Sequence, residues 1–184
     1  MTRQASRFVI VGATGSGKST LARRLAARLG ADFVELDALF WDAGWTPAPP
    51  DVFRVRVDRA TAGPAWVAAG GYGRVRDLLW TRAQAIVWLD YSFPLVLGCL
   101  SARTVGRAVT GEVLWNGNRE SLWGHCRFWS ERSLFHWLVK TYRAYRRELP
   151  LAFAEPAHAH LQIIHLRRPR EAEAWLAGVE TGVA

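Results

Sequence analysis

A glycine-rich segment near the start of the chain has the residues of a phosphate-binding loop. Gly12-Ala13-Thr14-Gly15-Ser16-Gly17-Lys18-Ser19 contains one of only two lysines in a chain with 24 lysines and arginines. An ammonium is a compact point charge that fits between the β- and γ-phosphates of a nucleotide better than a planar guanidinium does. We therefore expect Lys18 to contact the phosphates of ATP or GTP and Ser19 to hold Mg²⁺. The other residues expected around the phosphates are Gly12, Gly15, Ser16, Gly17 and Thr20.

Two acidic residues stand where predicted strands end. The segment 32–36 leads into Asp37, and the apolar run 85–89 ends at Asp90. Ligands of open parallel sheets bind beyond the carboxyl ends of the strands. Asp37 is then either an acceptor-binding group or catalytic base, or a helix cap or loop anchor. Asp90 is either a second Mg²⁺ ligand beside Ser19, or a helix cap.

Three arginines are candidates for contacts with the phosphates. Arg103 and Arg107 are four positions apart, so they share one face of the helix predicted there. Guanidiniums make bidentate bonds to phosphate oxygens, and the pair suits a triphosphate clamp at the base of a lid. The alternative is a solvated basic face. Arg119, within the predicted lid, has the same two interpretations.

The elements that position these residues alternate between strand and helix. Strands are predicted at 7–11, 32–36, 65–69, 85–90 and 160–165, and helices at 19–29, from about 51, at 74–83, 93–110, 131–148 and from 169. This alternation predicts an α/β fold with a parallel sheet covered by helices on both faces. The polar, glycine-containing segment at about 109–127 has little periodicity, and we interpret it as a lid. A chain of 184 residues, half of them apolar, predicts one domain over residues 1–184.

The composition indicates which partners and which cellular location are expected for the protein. The net charge of +8 favours anionic partners such as nucleotides, phosphorylated metabolites or nucleic acid. The helix predicted at 131–148 is rich in aromatic residues and arginine, but packing of its apolar face on the sheet is favoured over nucleic-acid binding. The chain shows no apolar signal region and no run near the roughly 20 residues of a membrane span. A cytoplasmic protein without a membrane partner is expected.

Four blocks of the chain resemble a known family, the small adenylate-kinase-like P-loop proteins often labelled topology modulation proteins. The blocks are Gly12–Leu25, Glu35–Trp41 with Gly44-Trp45, Leu114-Trp115-Asn116-Gly117-Asn118-Arg119-Glu120, and Leu166–Glu171. The resemblance implies a three-layer nucleoside-monophosphate-kinase core with strand order 2-3-1-4-5 and a mobile lid. It also implies ATP with Mg²⁺, and an adenine pocket near Arg167 and Arg170.

One position departs from that family. Where members tend to read Asp-Gly-Asn-Tyr after the third strand, this chain has Ala69-Gly70-Gly71-Tyr72. The carboxylate that organises water around Mg²⁺ in related kinases is missing. Either Asp37 or Asp90 takes over that function, or turnover is impaired while nucleotide binding survives.

Two functions fit these residues. The first, and the leading hypothesis, is a Mg²⁺·ATP-dependent kinase that transfers phosphate to a small acceptor such as a nucleotide. Its catalytic residues would be Lys18, Asp37, Arg103, Arg107 and Arg119. The second is a nucleotide-responsive binding protein that acts on DNA or a protein partner with little or no turnover. The positive charge and the missing carboxylate at position 69 favour the second, and neither hypothesis fixes the acceptor.

Overall fold

A five-stranded parallel sheet forms the centre of the protein. A computed structural model describes residues 5–118 and 134–180. The strands are β1 (Arg7–Gly12), β2 (Asp32–Glu35), β5 (Trp66–Ala69), β6 (Ala85–Leu89) and β7 (Gln162–Leu166). Their spatial order is β2-β5-β1-β6-β7, which is 2-3-1-4-5 when these five strands are counted along the chain. The predicted α/β fold and strand order are therefore confirmed.

Helices cover both faces of this sheet. Within the described residues they are α1 (Lys18–Leu29), α2 (Leu36–Phe40), α3 (Pro50–Ala60), α4 (Arg76–Arg82), α5 (Phe93–Thr110), α6 (Leu134–Phe153) and α7 (Pro169–Gly178). Single 3₁₀ turns occur at Ala43–Trp45, Gly73–Val75, Trp115–Gly117 and Pro156–His158. A search of the described helices finds none with the length and apolarity needed to cross a membrane.

Strand β1 has neighbours on both sides and contributes to two hydrophobic cores. It pairs with β5 on one side and β6 on the other. Phe8 and Ile10 belong to a core shared with α1, whereas Val9 and Val11 belong to a second core that includes residues of α3 and α4. This alternation follows the two-residue period of a strand. Because β1 is fixed from both sides, the loop after it leaves the sheet at a defined point.

The segment after β2 is more structured than the sequence predicted. A strand through residue 36 was expected, but β2 ends at Glu35 and α2 follows it directly. It is succeeded by a short antiparallel hairpin of β3 (Trp41–Asp42) and β4 (Thr46–Pro47). Leu36 is fully buried, and the Phe40 ring packs edge-on against Phe53 with centroids 5.2 Å apart. Burial of these apolar side chains favours a compact helix over a loop.

Helix α6 also differs from its predicted bounds. Positions 131–133 of the predicted helix lie outside the described residues, and the helix continues past Glu148 to Phe153 with Pro150 inside it. Proline removes one helical hydrogen bond, but Leu149 directly before it and Ala152 two positions after it are buried in the second core. Packing therefore outweighs the local preference to end the helix.

The base of the predicted lid is docked on the hairpin. Asn118 is only 3% exposed. Its Nδ2 donates to the carbonyl of Asp42, and its Oδ1 accepts from the backbone N–H of Trp45, each at 2.9 Å. Trp115 packs edge-on against Trp45 with centroids 6.4 Å apart. Residues 111–118 are thus attached to the β3–β4 segment, while 119–127 of the predicted lid lie outside the described residues.

We predict that Asn118→Ala lowers the free energy of unfolding by about 1–3 kcal/mol, because it removes the partners of two partly buried backbone groups. Urea unfolding measures the loss, and faster hydrogen exchange at the Trp45 amide locates it. Asn116→Gly is the matched control. Asn116 has a φ of 55°, which glycine tolerates, and its hydrogen bond to the carbonyl of Trp41 lies at the exposed surface, so the loss in Asn116→Gly should be smaller. Equal losses in the two variants would contradict the prediction.

Candidate functional site

The loop between β1 and α1 has the shape of a phosphate cradle. Gly15 has a φ of 82°, and a Cβ there would lie 2.8 Å from Cβ of Leu100 in α5, so a larger residue would displace that helix. Gly12 and Gly17 have φ values of 152° and 85°. The Ser16 hydroxyl is buried in the loop and has no hydrogen-bond partner among the described residues. It is a donor suited to an anion in the cradle.

Lys18 begins α1, and its side chain folds back over the loop. Its Nζ donates to the carbonyl of Ala13 at 2.9 Å. Burial lowers the pKa of the Lys18 ammonium, the carboxylate of Asp37 opposes that shift, and the guanidinium of Arg103 reinforces it. The fold therefore brings together three predicted site residues that are far apart in sequence.

Glu35 is a site residue that the sequence analysis missed. It is the last residue of β2, half-buried, and its side chain is hydrogen-bonded to Ser19. Burial raises the pKa of the Glu35 carboxyl, and the bond to Ser19 opposes that shift. A charged residue at the end of a strand, two positions before Asp37, was the available signal.

Glu35 also bears on the carboxylate missing at position 69. In the pairing of β2 with β5, Glu35 is the register partner of Ala69, so both side chains lie on the same face of the sheet. Asp37 and Asp90 were the expected substitutes for the missing acid. The carboxylate directly beside position 69 in the sheet is instead that of Glu35.

Asp37 lies in the first turn of α2, where it contacts Tyr72. Glu35 occupies the N-cap position of that helix, so Asp37 is not the cap. Tyr72 Oη donates to Oδ1 of Asp37 at 2.5 Å. The Tyr72 ring packs against Phe40 and Phe53 with centroids 4.8 and 5.1 Å apart, which fixes its hydroxyl at the carboxylate. Burial and the charge of Asp37 raise the pKa of Tyr72 far above its usual range, so Tyr72 stays a hydrogen-bond donor.

Asp90 makes a different set of contacts from those predicted. Its Oδ1 accepts from Nε of Arg146 at 2.6 Å, and its Oδ2 lies 3.0 Å from Nε2 of His165. The His165 ring is stacked on Trp88 with centroids 4.0 Å apart. The N-cap of α5 is Ser92, not Asp90. These contacts favour a structural ion pair, and a metal-binding function of Asp90 stays a prediction. In the described part of the chain, no group of three or more His, Cys, Asp or Glu side chains is arranged to hold a metal ion.

Two of the three arginines predicted to contact the phosphates lie within the described residues. Arg103 and Arg107 are both half-buried on α5. Arg103 lies near Lys18, whereas Nε of Arg107 is 3.3 Å from the carboxylate of Glu112. Arg107 therefore has a local anionic partner at the base of the lid. Arg119 lies outside the described residues.

The predicted adenine-binding arginines follow β7. Arg167 and Arg170 are exposed, at the same carboxyl edge of the sheet as the phosphate loop. The backbone N–H of Arg167 donates to the carboxylate of Glu171 at 2.6 Å, which fixes the turn into α7. Thr20 is exposed in the first turns of α1. Contacts of these residues with a nucleotide stay predictions.

Trp41 and Trp45 are packed rather than open. Their ring centroids are 5.8 Å apart, and Trp45 also contacts Trp115 of the lid base. Both residues are half-buried. Their rings therefore contribute to the packing of the β3–β4 hairpin against residues 111–118.

Sequence comparisons find P-loop kinases among the relatives. A family model described as an AAA domain matches residues 8–86. The chain is 38% identical over 117 residues to a shikimate kinase of Paramagnetospirillum magneticum, a match that covers 54% of this chain and 57% of the relative. It is 42% identical over 99 residues to a shikimate kinase of Symbiobacterium thermophilum, covering 45% of this chain and 56% of the relative. The chain thus spans a little over half the length of the curated relatives it matches.

Solved structures share the fold over nearly the whole chain. A gluconokinase from Sinorhizobium meliloti superposes with a TM-score of 0.53 at 21% identity, covering 95% of this chain and 94% of that structure. A shikimate kinase from Acinetobacter baumannii in complex with shikimate gives a TM-score of 0.51 at 19% identity, covering 94% and 89%. Phosphate loop, strand order and structural neighbours agree, and the chain has the fold of an adenylate-kinase-like P-loop NTPase.

Proposed function

We propose that the protein is a Mg²⁺·ATP-dependent kinase that transfers the γ-phosphoryl group to a hydroxyl of a small acceptor. The observation that carries this proposal is the position of Asp37, which follows β2 at the carboxyl edge of the sheet where the phosphate loop and Lys18 also lie, and whose carboxylate opposes the lowering of the Lys18 pKa by burial. A carboxylate beside the phosphate-binding lysine is what transfer to a second substrate needs, whereas binding of a nucleotide alone does not need it. The similarity to shikimate kinases and the fold shared with a gluconokinase support the same class.

The phosphate loop and Lys18 bind the β- and γ-phosphates in this proposal. The buried Ser16 hydroxyl adds a donor inside the loop. Mg²⁺ bound with the nucleotide would neutralise part of the phosphate charge. Ser19 and Glu35 fit such an ion, because a hydroxyl and a carboxylate are oxygen ligands and are already hydrogen-bonded to each other.

Asp37 is the proposed base. As the acceptor hydroxyl oxygen bonds to the γ-phosphorus, the bond from that phosphorus to the bridging oxygen breaks, ADP leaves, and Asp37 takes the hydroxyl proton. Tyr72 holds the carboxylate in place through its hydrogen bond. Arg103, and further Arg107 and Arg119, stabilise the charge on the transferred group.

The decisive test is turnover with a panel of small hydroxylated molecules and nucleoside monophosphates, comparing wild type with Lys18→Ala. We expect ADP and a phosphorylated acceptor in equal amounts, and a loss of turnover of about 100-fold or more in Lys18→Ala, because charge stabilisation at the γ-phosphate is removed. Mass spectrometry and phosphorus NMR identify the product, and circular dichroism checks the fold. Nucleotide binding without phosphorylation of any acceptor would reject the kinase and support the alternative binding protein.

We predict opposite effects of Glu35→Gln on stability and activity. Burial raises the pKa of Glu35 in the folded state, so the ionised carboxylate opposes folding once the pH exceeds that raised pKa. The variant should therefore have a higher urea midpoint than wild type near neutral pH, and an equal one at a pH below the unfolded pKa. Mg²⁺-dependent turnover should fall about 10- to 100-fold. Unchanged turnover would remove Glu35 from the proposed site.

We predict that Ala69→Asp does not raise turnover and destabilises the protein by about 1–3 kcal/mol or more. Ala69 is 1% exposed and lies beside Glu35, so the new carboxylate is both desolvated and repelled. Ala69→Asn is the control, because asparagine has a similar shape but no charge. The free energy of unfolding should be lower in Ala69→Asp than in Ala69→Asn, and this difference should grow as the pH rises. A higher kcat in Ala69→Asp would instead indicate that the missing acid limits catalysis.

A further inference from the structure

A small cleft lies beside the proposed base. It is bounded by the ends of β1 and β5 and by helices α4 and α6. Its polar side chains include Tyr72, Arg76 and Tyr145, and its apolar wall includes Leu79 and Trp80. Because the hydroxyl of Tyr72 is bonded to Asp37, the cleft adjoins the proposed base.

Arg76 contributes a positive charge to this cleft. The side chain is half-buried, and its guanidinium carbon lies 5.0 Å from the centre of the Trp80 ring. It makes no hydrogen bond or ion pair with another residue in the described ranges 5–118 and 134–180. The contact with the indole face positions the guanidinium, and its N–H groups can still donate hydrogen bonds.

The neighbouring acidic residue does not neutralise Arg76. Asp77 accepts two hydrogen bonds from Arg54, at 2.9 and 2.5 Å. Arg82, at the other end of α4, is bonded to Asp58 at 2.6 Å. Arg54 and Arg82 are thus paired with aspartates, whereas Arg76 is not. A half-buried guanidinium without an anion bears a desolvation penalty that an anionic ligand would relieve.

Tyr145 forms the opposite side of the cleft. Its Oη donates to the carbonyl of Gly71 at 3.2 Å, and a Cβ at position 71 would lie 2.8 Å from that oxygen. Burial raises the pKa of Tyr145, and the nearby charge of Arg76 opposes that shift. Tyr145 therefore places a neutral hydroxyl near Arg76, and Gly71 makes the room for it.

We propose, resting on the proposed kinase function, that Arg76 binds an anionic group of the acceptor in this cleft, while the hydroxyl of the acceptor to be phosphorylated reaches Asp37. The anion is a carboxylate or a phosphate, since both match the donor geometry of a guanidinium.

The test combines matched ligands with matched variants. The ligands are small polyhydroxy carboxylic acids, including shikimate, with their neutral methyl esters and with sugar phosphates and inorganic phosphate as the phosphate arm. The variants are Arg76→Met, Arg76→Lys, and Arg74→Met, which removes an equal charge from an exposed position two residues away. Thermal unfolding without ligand verifies that each variant is folded. ATP-dependent phosphorylation and calorimetric binding with a non-hydrolysable ATP analogue are both measured.

We expect anionic ligands to bind wild type and their neutral esters to bind at least about 10-fold more weakly. Arg76→Met should raise KM or Kd for the anionic ligand by about 10- to 100-fold with a smaller effect on kcat. Arg76→Lys should recover part of the loss, and Arg74→Met should stay within about threefold of wild type. Comparing the affinities of wild type for the carboxylic acids and for the phosphates then identifies which of the two anions Arg76 binds.

Other outcomes separate this proposal from the kinase function. Binding of anions that depends on Arg76, without phosphorylation of any ligand, would support the subsite and reject the kinase. Phosphorylation of neutral acceptors, or of anionic ones equally well in Arg76→Met and wild type, would support the kinase and overturn the subsite. Absence of anion binding to wild type in calorimetry would also overturn the subsite.

Discussion

Charge balance around the phosphate loop is the constraint on which the site depends. Lys18 lies in a pocket where burial disfavours its charge, and the carboxylates of Asp37 and Glu35 act in the opposite direction. The two acids have different surroundings. Asp37 accepts from Tyr72, whereas burial raises the pKa of Glu35 next to Ser19. A nucleotide would bring negative charge into this arrangement, so the cation of Lys18 and the nearby Arg103 offset repulsion from the acids.

The end of the sheet where these charges meet is reinforced by α6. Leu138 belongs to one core and Leu149 to the other, so the helix reaches both faces of the sheet. Between them, three side chains bind segments that follow the strands. Tyr142 donates to the carbonyl of Tyr91, Tyr145 donates to that of Gly71, and Arg146 pairs with Asp90. In this arrangement a helix rich in aromatic residues and arginine supports the edge where ligands of parallel sheets bind.

The Trp-Asn-Gly-Asn block has a structural explanation in the contacts it makes. Asn118 bridges two backbone groups of the β3–β4 segment, and Asn116 donates to the carbonyl of Trp41 from a backbone with positive φ. Asparagine suits both positions because it tolerates that backbone and because its amide both donates and accepts. The block joins the end of α5, which contains Arg103, to the hairpin that follows Asp37. Two segments of the proposed site are therefore attached to each other through this block.

The sequence by itself determined the phosphate loop and the parallel sheet, because these follow from local patterns of glycine, short apolar runs and helical periodicity. The strand order was implied by the resemblance to the adenylate-kinase-like proteins and not by these patterns. The sequence also identified Asp37 and Lys18 as partners in one site, since both follow strand ends. Only the tertiary structure decided which side chain faces which. Glu35 comes beside Ala69 and Ser19 through the β2–β5 register, and Asp90 is paired with Arg146 and His165 through α6 and β7. Such pairings join residues that are distant in sequence. They depend on how the two cores pack, and a local sequence pattern therefore cannot predict them.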